Sequence, residues 1–188
     1  MYKPIIFPLS VKTYILFNKP FGVISQFTSE VNHKTLSNFG PFPKDVYPVG
    51  RLDVDSEGLL LLTNDNKIKH RLSDPRFGHK RDYLVQIEGI PSETALDRLR
   101  AGIIIEGKRT KPAEVNIHNE EPNLPPRDKP IRFRKNIPTS WLKITLREGR
   151  NRQVRKMTAA IGHPTLRLIR TSITFLTIDG IKKARVDI

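Results

Sequence analysis

Residues 50–65 read Gly50-Arg51-Leu52-Asp53-Val54-Asp55-Ser56-Glu57-Gly58-Leu59-Leu60-Leu61-Leu62-Thr63-Asn64-Asp65. The leucines form an apolar run of strand length, and the polar residues behind them have turn chemistry, so the run is predicted to be a buried strand. Three carboxylates and one arginine precede it, between two glycines. A loop that carries polar groups to the end of a buried strand is a common place for functional residues. A solvated surface turn is the alternative, since exposed Asp and Glu are the rule.

The composition limits the classes of protein to consider. A chain of 188 residues has room for one sizeable domain or two packed lobes. The absence of cysteine excludes disulfides, thiolate catalysis and cysteine-based zinc sites. The first residues lack an apolar stretch of signal-peptide length, and no apolar run approaches the ~18 residues of a membrane span. We therefore expect a soluble cytoplasmic protein without membrane association.

The charge balance predicts a polyanionic partner. Thirty-three Lys and Arg against nineteen Asp and Glu give a formal net charge of +14, and nucleic acid is the commonest partner of such a surface. The basic residues concentrate between Arg127 and Lys156, where only Asp128 and Glu148 oppose them. A merely soluble basic surface is the alternative. The cations expected to contact RNA phosphates are Arg81, Arg132, Arg134, Lys135, Arg150, Arg152 and Lys156.

Local patterns predict many strands and about three helices. Residues 1–12 are expected to be a tail, and residues 119–138 an irregular surface excursion. Helices are expected at 66–73, from the N-cap Ser92 to Gly102, and at 150–161. Besides the central run, strands are expected at 13–17, 23–27, 83–88, 103–105, 114–118, 141–146, 166–169, 173–178 and 185–188. Without regular β-α-β alternation, this order predicts an α+β fold with a mixed, mostly antiparallel sheet.

The tetrad Gly50-Arg51-Leu52-Asp53, with the following Ser56-Glu57-Gly58 and the leucine run, resembles the catalytic motif of one family. That family is the RsuA/RluB/RluE/RluF branch of the pseudouridine synthases. The resemblance implies that Asp53 is the catalytic aspartate and that Arg51 supports the active site. Asp55 and Glu57 occupy variable polar positions of the motif and are expected to have structural or surface roles.

Further motifs resemble the same family in the same order. Gly149-Arg150-Asn151-Arg152-Gln153-Val154-Arg155 is similar to its arginine motif, which implies that Arg155 pairs with Asp53. Arg81-Asp82-Tyr83-Leu84-Val85 is similar to its Lys-x-Tyr-x-Val, which implies that Tyr83 contacts the target base. Residues 162–170 resemble a further motif of the family, which implies that Leu168 places an apolar side chain against the active centre. Asn18-Lys19-Pro20-Phe21-Gly22 resembles the first motif, for which we expect a structural role.

The resemblance also implies a fold and an activity. The fold is a pseudouridine synthase catalytic domain over residues 13–188, without an S4 domain, with the active-site cleft across the middle of the sheet. Residues 131–146 are similar to the RluE members, which isomerise a uridine of large-subunit (23S) ribosomal RNA. No cofactor is needed, no metal is expected because the histidines show no ligand spacing, and we expect a monomer. A non-catalytic rRNA-binding factor and an RNA N-glycosidase are the alternatives, and the chemical step of Asp53 stays open.

Overall fold

The computed structural model describes residues 11–29, 33–127, 129–132 and 134–181. Three α-helices lie within these residues: α1 Asn66–Ser73, α2 Glu93–Arg100 and α3 Gln153–Ala160. Short 3-10 helices span Leu36–Phe39 and Pro75–Phe77. The strands are β1 Tyr14–Lys19, β2 Tyr47–Pro48, β3 Glu57–Thr63, β4 Arg81–Glu88, β5 Ile104–Ile105, β6 Lys108–Arg109, β7 Glu114–His118, β8 Thr139–Leu146, β9 Thr165–Ile173 and β10 Leu176–Thr177.

One large sheet organises the described residues. Its strands follow the order β1-β3-β9-β4-β8-β7, with β2 on β3 and β10 on β9. The β3–β9 pair is parallel and the other pairs of this sheet are antiparallel. Strands β5 and β6 form a separate two-stranded sheet. The expected α+β fold with a mixed, mostly antiparallel sheet is therefore confirmed.

The parallel junction in the middle of the sheet depends on a glycine. Strands β3 and β9 pair over two positions, Glu57 with Ile169 and Gly58 with Arg170. A Cβ atom on Gly58 would lie 2.3 Å from the Arg170 carbonyl oxygen, and Gly58 has a φ of +107°. Such contact distances do not occur between real atoms, and L side chains avoid this backbone region. Gly58 thus allows the two halves of the sheet to meet.

Two hydrophobic cores lie on either side of that junction. All seven residues of β3 are buried, and Leu60 and Leu62 pack with Phe17, Leu36 and Val46 in the smaller core. The larger core joins β4, β8 and β9 to the apolar faces of α2 and α3. Tyr83, Val85 and Ile87 share this core face of β4, as their alternation predicts.

Most predicted elements are found, with three differences. The strand predicted at 23–27 is wrong: Val23 makes only an isolated bridge to Lys34, and residues 25–27 are bends. The strands predicted at 166–169 and 173–178 are instead one long strand, β9, and a short β10. Helix α3 begins at Gln153 rather than Arg150. Residues 1–10 of the tail predicted at 1–12 and the strand predicted at 185–188 lie outside the described residues, and the domain bounds stay a prediction.

The helices of the described chain are all short. Within this part of the protein, none is long and apolar enough to cross a membrane.

Candidate active site

A cleft of about 640 Å³ opens at the β3–β9 junction. Its walls come from the loop before β3, the start of β4, the loop between β8 and α3, and the middle of β9. The polar and apolar side chains that define it are those of Ser25, Arg51, Asp53, Ser56, Arg81, Tyr83, Glu148, Arg150, Arg152, Leu168 and Arg170. The structure therefore brings together the predicted active-site residues Asp53, Arg51, Tyr83 and Leu168 and three of the predicted RNA contacts, Arg81, Arg150 and Arg152.

The loop that carries Asp53 is fixed by hydrogen bonds on both sides. Ser25 Oγ donates to the Leu52 carbonyl at 2.9 Å and accepts from the Leu52 amide at 3.0 Å. The Gly22 amide donates to the Val54 carbonyl at 2.8 Å, and the Ser56 amide to the Asp53 carbonyl at 3.0 Å. The loop is thus held by the turn that follows β1. The Asp53 side chain itself is 36 % exposed, so it faces the cleft from a fixed backbone.

Two arginines meet the carboxylates of this loop, and they do so differently from the sequence prediction. Arg155 was expected to pair with Asp53, but its Nη2 donates to the Asp55 carbonyl at 2.6 Å and its Nε lies 3.4 Å from Asp55 Oδ2. Arg152 forms a forked pair with Asp55, at 3.0 and 2.7 Å. Its Nη1 also lies 3.7 Å from Asp53 Oδ2. Asp55, expected to have a structural or surface role, thus anchors both arginines.

The conformation at the start of α3 explains why Arg152, and not Arg155, approaches Asp53. Arg152 adopts the left-handed conformation, with φ 49° and ψ 35°, which costs a non-glycine residue about 1–2 kcal/mol. Gln153 holds this bend, because its Oε1 accepts from the Arg150 amide at 3.0 Å and its Nε2 donates to Glu148 at 2.6 Å. The bend turns Arg152 toward the Asp53 loop and leaves Arg155 one turn further along the helix. Backbone strain of this kind is typical of functional sites.

The charges around Asp55 change its titration. Burial acts to raise the pKa of Asp55, but the hydrogen bond from Arg152 and the charge of Arg155 hold it below its ordinary value. Arg155 is 14 % exposed, and its Nε has no hydrogen-bond partner within the described residues. Burial lowers the pKa of the Arg155 guanidinium, while Asp55 raises it.

Strands β4 and β9 supply the opposite wall. Arg81 Nη2 donates to the Leu72 carbonyl at 2.9 Å, which turns the side chain across the end of α1. Tyr83 pairs with Arg170 in the sheet register. Leu168 is 5 % exposed and contributes an apolar surface.

Not every predicted RNA contact lies at this cleft. Arg132 and Arg134 pair with Glu88 at 3.2 and 3.3 Å, and together with Lys135 they line a second pocket of about 470 Å³. Glu88 is the last residue of β4, whereas Arg81 at its other end faces the cleft. Lys156 also lies outside the cleft lining and pairs with Glu106 at 2.7 Å. Arg150 lines the cleft and donates to the carbonyls of Lys108 and Arg109.

Two charged side chains near the cleft were not predicted to matter. Lys19 is completely buried, and its Nζ donates to the carbonyls of Pro20 at 3.1 Å and Val23 at 2.6 Å. Burial lowers the pKa of Lys19 to about 7, although Glu57, Asp55 and Asp53 act to raise it. The motif that contains Lys19 marks the position, but only the fold shows its burial.

The second is Arg170, which is 4 % exposed and lines the cleft. Its Nε donates to the Leu59 carbonyl at 2.9 Å. Nearby, Glu57 is buried and forms a forked pair with Arg167, at 2.9 Å for both bonds. Since these contacts join residues more than a hundred positions apart, no local sequence signal reveals them.

A metal site is not apparent among the residues that the structure describes. In that part of the chain, no group of three or more His, Asp or Glu side chains is arranged to hold an ion.

Comparison with known proteins places this cleft in a family. The sequence model of the RNA pseudouridylate synthase family matches residues 13–160. The chain is 50 % identical over 169 residues to "Ribosomal large subunit pseudouridine synthase E" of Xanthomonas axonopodis pv. citri (strain 306), covering 89 % of this chain and 88 % of that protein. It is 48 % identical over 174 residues to the protein of the same name in Vibrio vulnificus (strain CMCP6), covering 93 % of this chain and 74 % of that protein.

A solved structure described as "Crystal structure of pseudouridylate synthase" superposes with a TM-score of 0.77 at 27 % identity, covering 95 % of this chain and 70 % of that one. The resemblance that the sequence motifs indicated is therefore confirmed. The chain belongs to the RNA pseudouridylate synthase family and is an isomerase.

Proposed function

We propose that this protein isomerises a uridine of large-subunit (23S) ribosomal RNA to pseudouridine, with Asp53 as the catalytic carboxylate. The substrate is suggested by the relatives named ribosomal large subunit pseudouridine synthase E, which match most of the chain. The observation that carries the role of Asp53 is its place at the cleft. It is a partly exposed carboxylate on a fixed loop, surrounded by arginines, at the point where the two halves of the sheet meet.

The surroundings of Asp53 suit a reacting group. Its distance of 3.7 Å to Arg152 exceeds that of a hydrogen bond, so this cation adds positive charge without closing the carboxylate into a tight pair. Asp55 takes the short bonds of Arg152 and the backbone bond of Arg155 instead. We infer that Asp55 holds the two arginines so that the oxygens of Asp53 remain available to the substrate.

The cleft also explains how a nucleotide within structured RNA could react. A base inside a stem is out of reach of any side chain, so the uridine must be flipped out, at a cost of a few kcal/mol. Arg51, Arg81, Arg150 and Arg152 line the cleft and can hold the neighbouring phosphates, which offsets that cost. Tyr83 would then contact the base, and Leu168 would supply an apolar surface beside it. Arg132, Arg134, Lys135 and Lys156 remain predicted RNA contacts outside the cleft.

The reaction needs no external reactant. The N1–C1′ glycosidic bond breaks, the uracil ring turns in the cleft, and a C5–C1′ bond forms. The proton of C5 is lost and N1 regains one, so atoms and charge balance. Asp53 can assist by attacking C1′, by attacking C6 or by removing a ribose proton, and each of these roles requires the ionised carboxylate.

The two alternatives account for less of the structure. A non-catalytic RNA-binding factor gives no reason for a carboxylate, which repels phosphates, in the middle of a basic cleft. An RNA N-glycosidase would use the same carboxylate but would release free uracil.

Nucleoside analysis of unmodified large-subunit rRNA after incubation with the protein separates the three. We expect pseudouridine at one site. Free uracil would identify the glycosidase, and unchanged nucleosides would identify the binding factor.

A further inference from the structure

Arg170 is a buried charged residue of the cleft, and the proposed function gives it no role. It lies on β9 at the floor of the cleft, opposite Gly58 in the parallel register. One donor, Nε, is bonded to the Leu59 carbonyl, and Tyr83 lies opposite Arg170 in the antiparallel register of β4 and β9. The other end, Nη2, is buried and has no hydrogen-bond partner within the described residues.

An arginine in this position normally has an acceptor for each end. Arginine is almost never fully buried unless it is paired, and an isolated buried charge is strongly unfavourable. In the described part of the chain no carboxylate forms an ion pair with Arg170, and two further cations, Arg81 and Lys19, lie near enough to repel it. Burial accordingly lowers the pKa of the Arg170 guanidinium. A polar group that enters the cleft can supply the missing acceptor.

A second polar atom of the same cleft is also unpaired. Ser56 is 1 % exposed, and its Oγ has no hydrogen-bond partner among the described residues. Ser56 immediately precedes β3, whose Gly58 pairs with Arg170. Two buried polar atoms without partners in one cleft indicate a place for a polar group of a ligand, because native proteins leave few such atoms unsatisfied.

We propose that Arg170 donates a hydrogen bond from Nη2 to a carbonyl oxygen of the uracil ring and stabilises the negative charge that develops there. This rests on the proposed function. When the N1–C1′ bond breaks, its electron pair remains on the uracil, where it is shared between N1, O2 and O4. If Asp53 attacks C6 instead, the electron pair of the C5–C6 double bond moves onto O4. In either case a ring oxygen gains charge.

The position of Arg170 makes this contribution effective. A preformed donor in a buried site stabilises developing charge more than it stabilises the neutral base, and this difference lowers the barrier. The electron pair is used again when C5 bonds to C1′, so the charge is transient. The exposed arginines of the cleft wall are better placed for phosphates, which remain charged and hydrated throughout.

The test compares RNA substrates that carry uridine, 2-thiouridine or 4-thiouridine at the target position. Sulfur is a weak hydrogen-bond acceptor, so the substitution weakens a bond to that one atom. Single-turnover consumption of the target nucleoside is measured at saturating enzyme for wild type, Arg170→Gln and Arg170→Lys. Arg150→Gln is the matched control, since Arg150 lines the same cleft but has its donors on the carbonyls of Lys108 and Arg109.

We expect one thio substitution to slow the wild type by about tenfold, the effect of weakening one charge-assisted hydrogen bond. In Arg170→Gln, the thio substitution should slow the reaction much less than in the wild type, and RNA affinity should change little. In Arg150→Gln, the thio substitution should slow the reaction as much as in the wild type. If the variant Arg170→Gln is slowed by the sulfur substitution by the same factor as the wild type, the two changes act independently. That result would overturn the proposal.

If Arg170→Gln does not fold, Arg170→Lys supplies the comparison. Equal wild-type rates on the three RNAs would overturn the proposal without any variant. A wild type that forms no pseudouridine on the uridine substrate would instead refute the proposed function.

Discussion

Replacing Gly58 by alanine should show how much stability depends on the close contact between β3 and β9. The new Cβ would lie 2.3 Å from the Arg170 carbonyl oxygen and 2.7 Å from its amide nitrogen. Both atoms are backbone, so neither can move aside as a flexible side chain would. Overpacking of this kind costs about 1–3 kcal/mol, and the positive φ adds about 1–2 kcal/mol for a residue with a Cβ. We expect a loss of about 2–5 kcal/mol in the free energy of unfolding.

Gly107 offers a matched control, because its φ is +74° but a Cβ there would meet nothing within 4 Å. Gly107→Ala should therefore cost only the backbone term of about 1–2 kcal/mol. Urea unfolding of both variants and the wild type measures the difference. Since the junction forms the cleft floor, Gly58→Ala should also reduce the rate of pseudouridine formation in the fraction that remains folded. Equal losses of stability for the two variants would refute the argument.

Two further predictions concern charged residues next to the cleft. Arg155→Lys should lower single-turnover pseudouridine formation by about tenfold with little change in RNA affinity, because a lysine cannot bond the Asp55 carbonyl and approach its carboxylate together. A rate within about threefold of the wild type would contradict this. In the folded protein Lys19 has a pKa of about 7, below the ordinary value of a lysine. Between those two pH values the unfolded state binds a proton at Lys19 that the folded state does not. The free energy of unfolding therefore decreases as the pH falls toward 7. The free energy of unfolding of the wild type relative to Lys19→Met, from urea titrations, should therefore rise by up to about 1.4 kcal/mol per pH unit between pH 7 and 9, and a constant difference would refute it.

Local sequence signals predicted the elements that local interactions determine. Helix α1 begins where Asp65 accepts hydrogen bonds from the amides of Lys67 and Ile68, and α2 begins at its expected N-cap, Ser92. The leucine run before Thr63 is the buried strand β3. In each case the capping residue or the apolar run lies within the element itself, so a reading of neighbouring residues is sufficient.

The elements that were missed depend on contacts outside the predicted segments. Residues 23–27 have strand-like composition, but their backbone-to-backbone bonds within the described residues reach only residues 34–36: Val23 bridges Lys34, and the Leu36 amide donates to the Gln26 carbonyl at 2.9 Å. The bend at Arg152 depends on Gln153 and Glu148, so periodicity alone started α3 too early. No periodicity distinguishes an irregular excursion from a strand when the pairing is non-local.

In the candidate site, too, the sequence predicted some features and missed those that depend on the folded arrangement. The family motifs predicted that Asp53, Tyr83 and Leu168 lie at one cleft, and all three line it. The motifs also predicted that Arg155 pairs with Asp53, but in the structure it contacts Asp55. The two carboxylates of the loop are two residues apart, and which of them meets the arginine depends on the exact turn of the loop and of α3. Arg170 was missed because its significance comes from an unbonded Nη2 deep in the folded protein, which no sequence pattern reveals.

The central claim is that the carboxylate of Asp53 performs the chemistry. Single-turnover formation of pseudouridine on unmodified large-subunit rRNA, with Asp53→Asn beside the wild type, tests it most directly. The substitution keeps the size of the side chain and removes one negative charge from a basic cleft, so RNA affinity should be equal to the wild type or higher. The account predicts that Asp53→Asn binds the RNA and forms no pseudouridine. A rate within about tenfold of the wild type would contradict it, because the barrier would then have changed by less than about 1.4 kcal/mol.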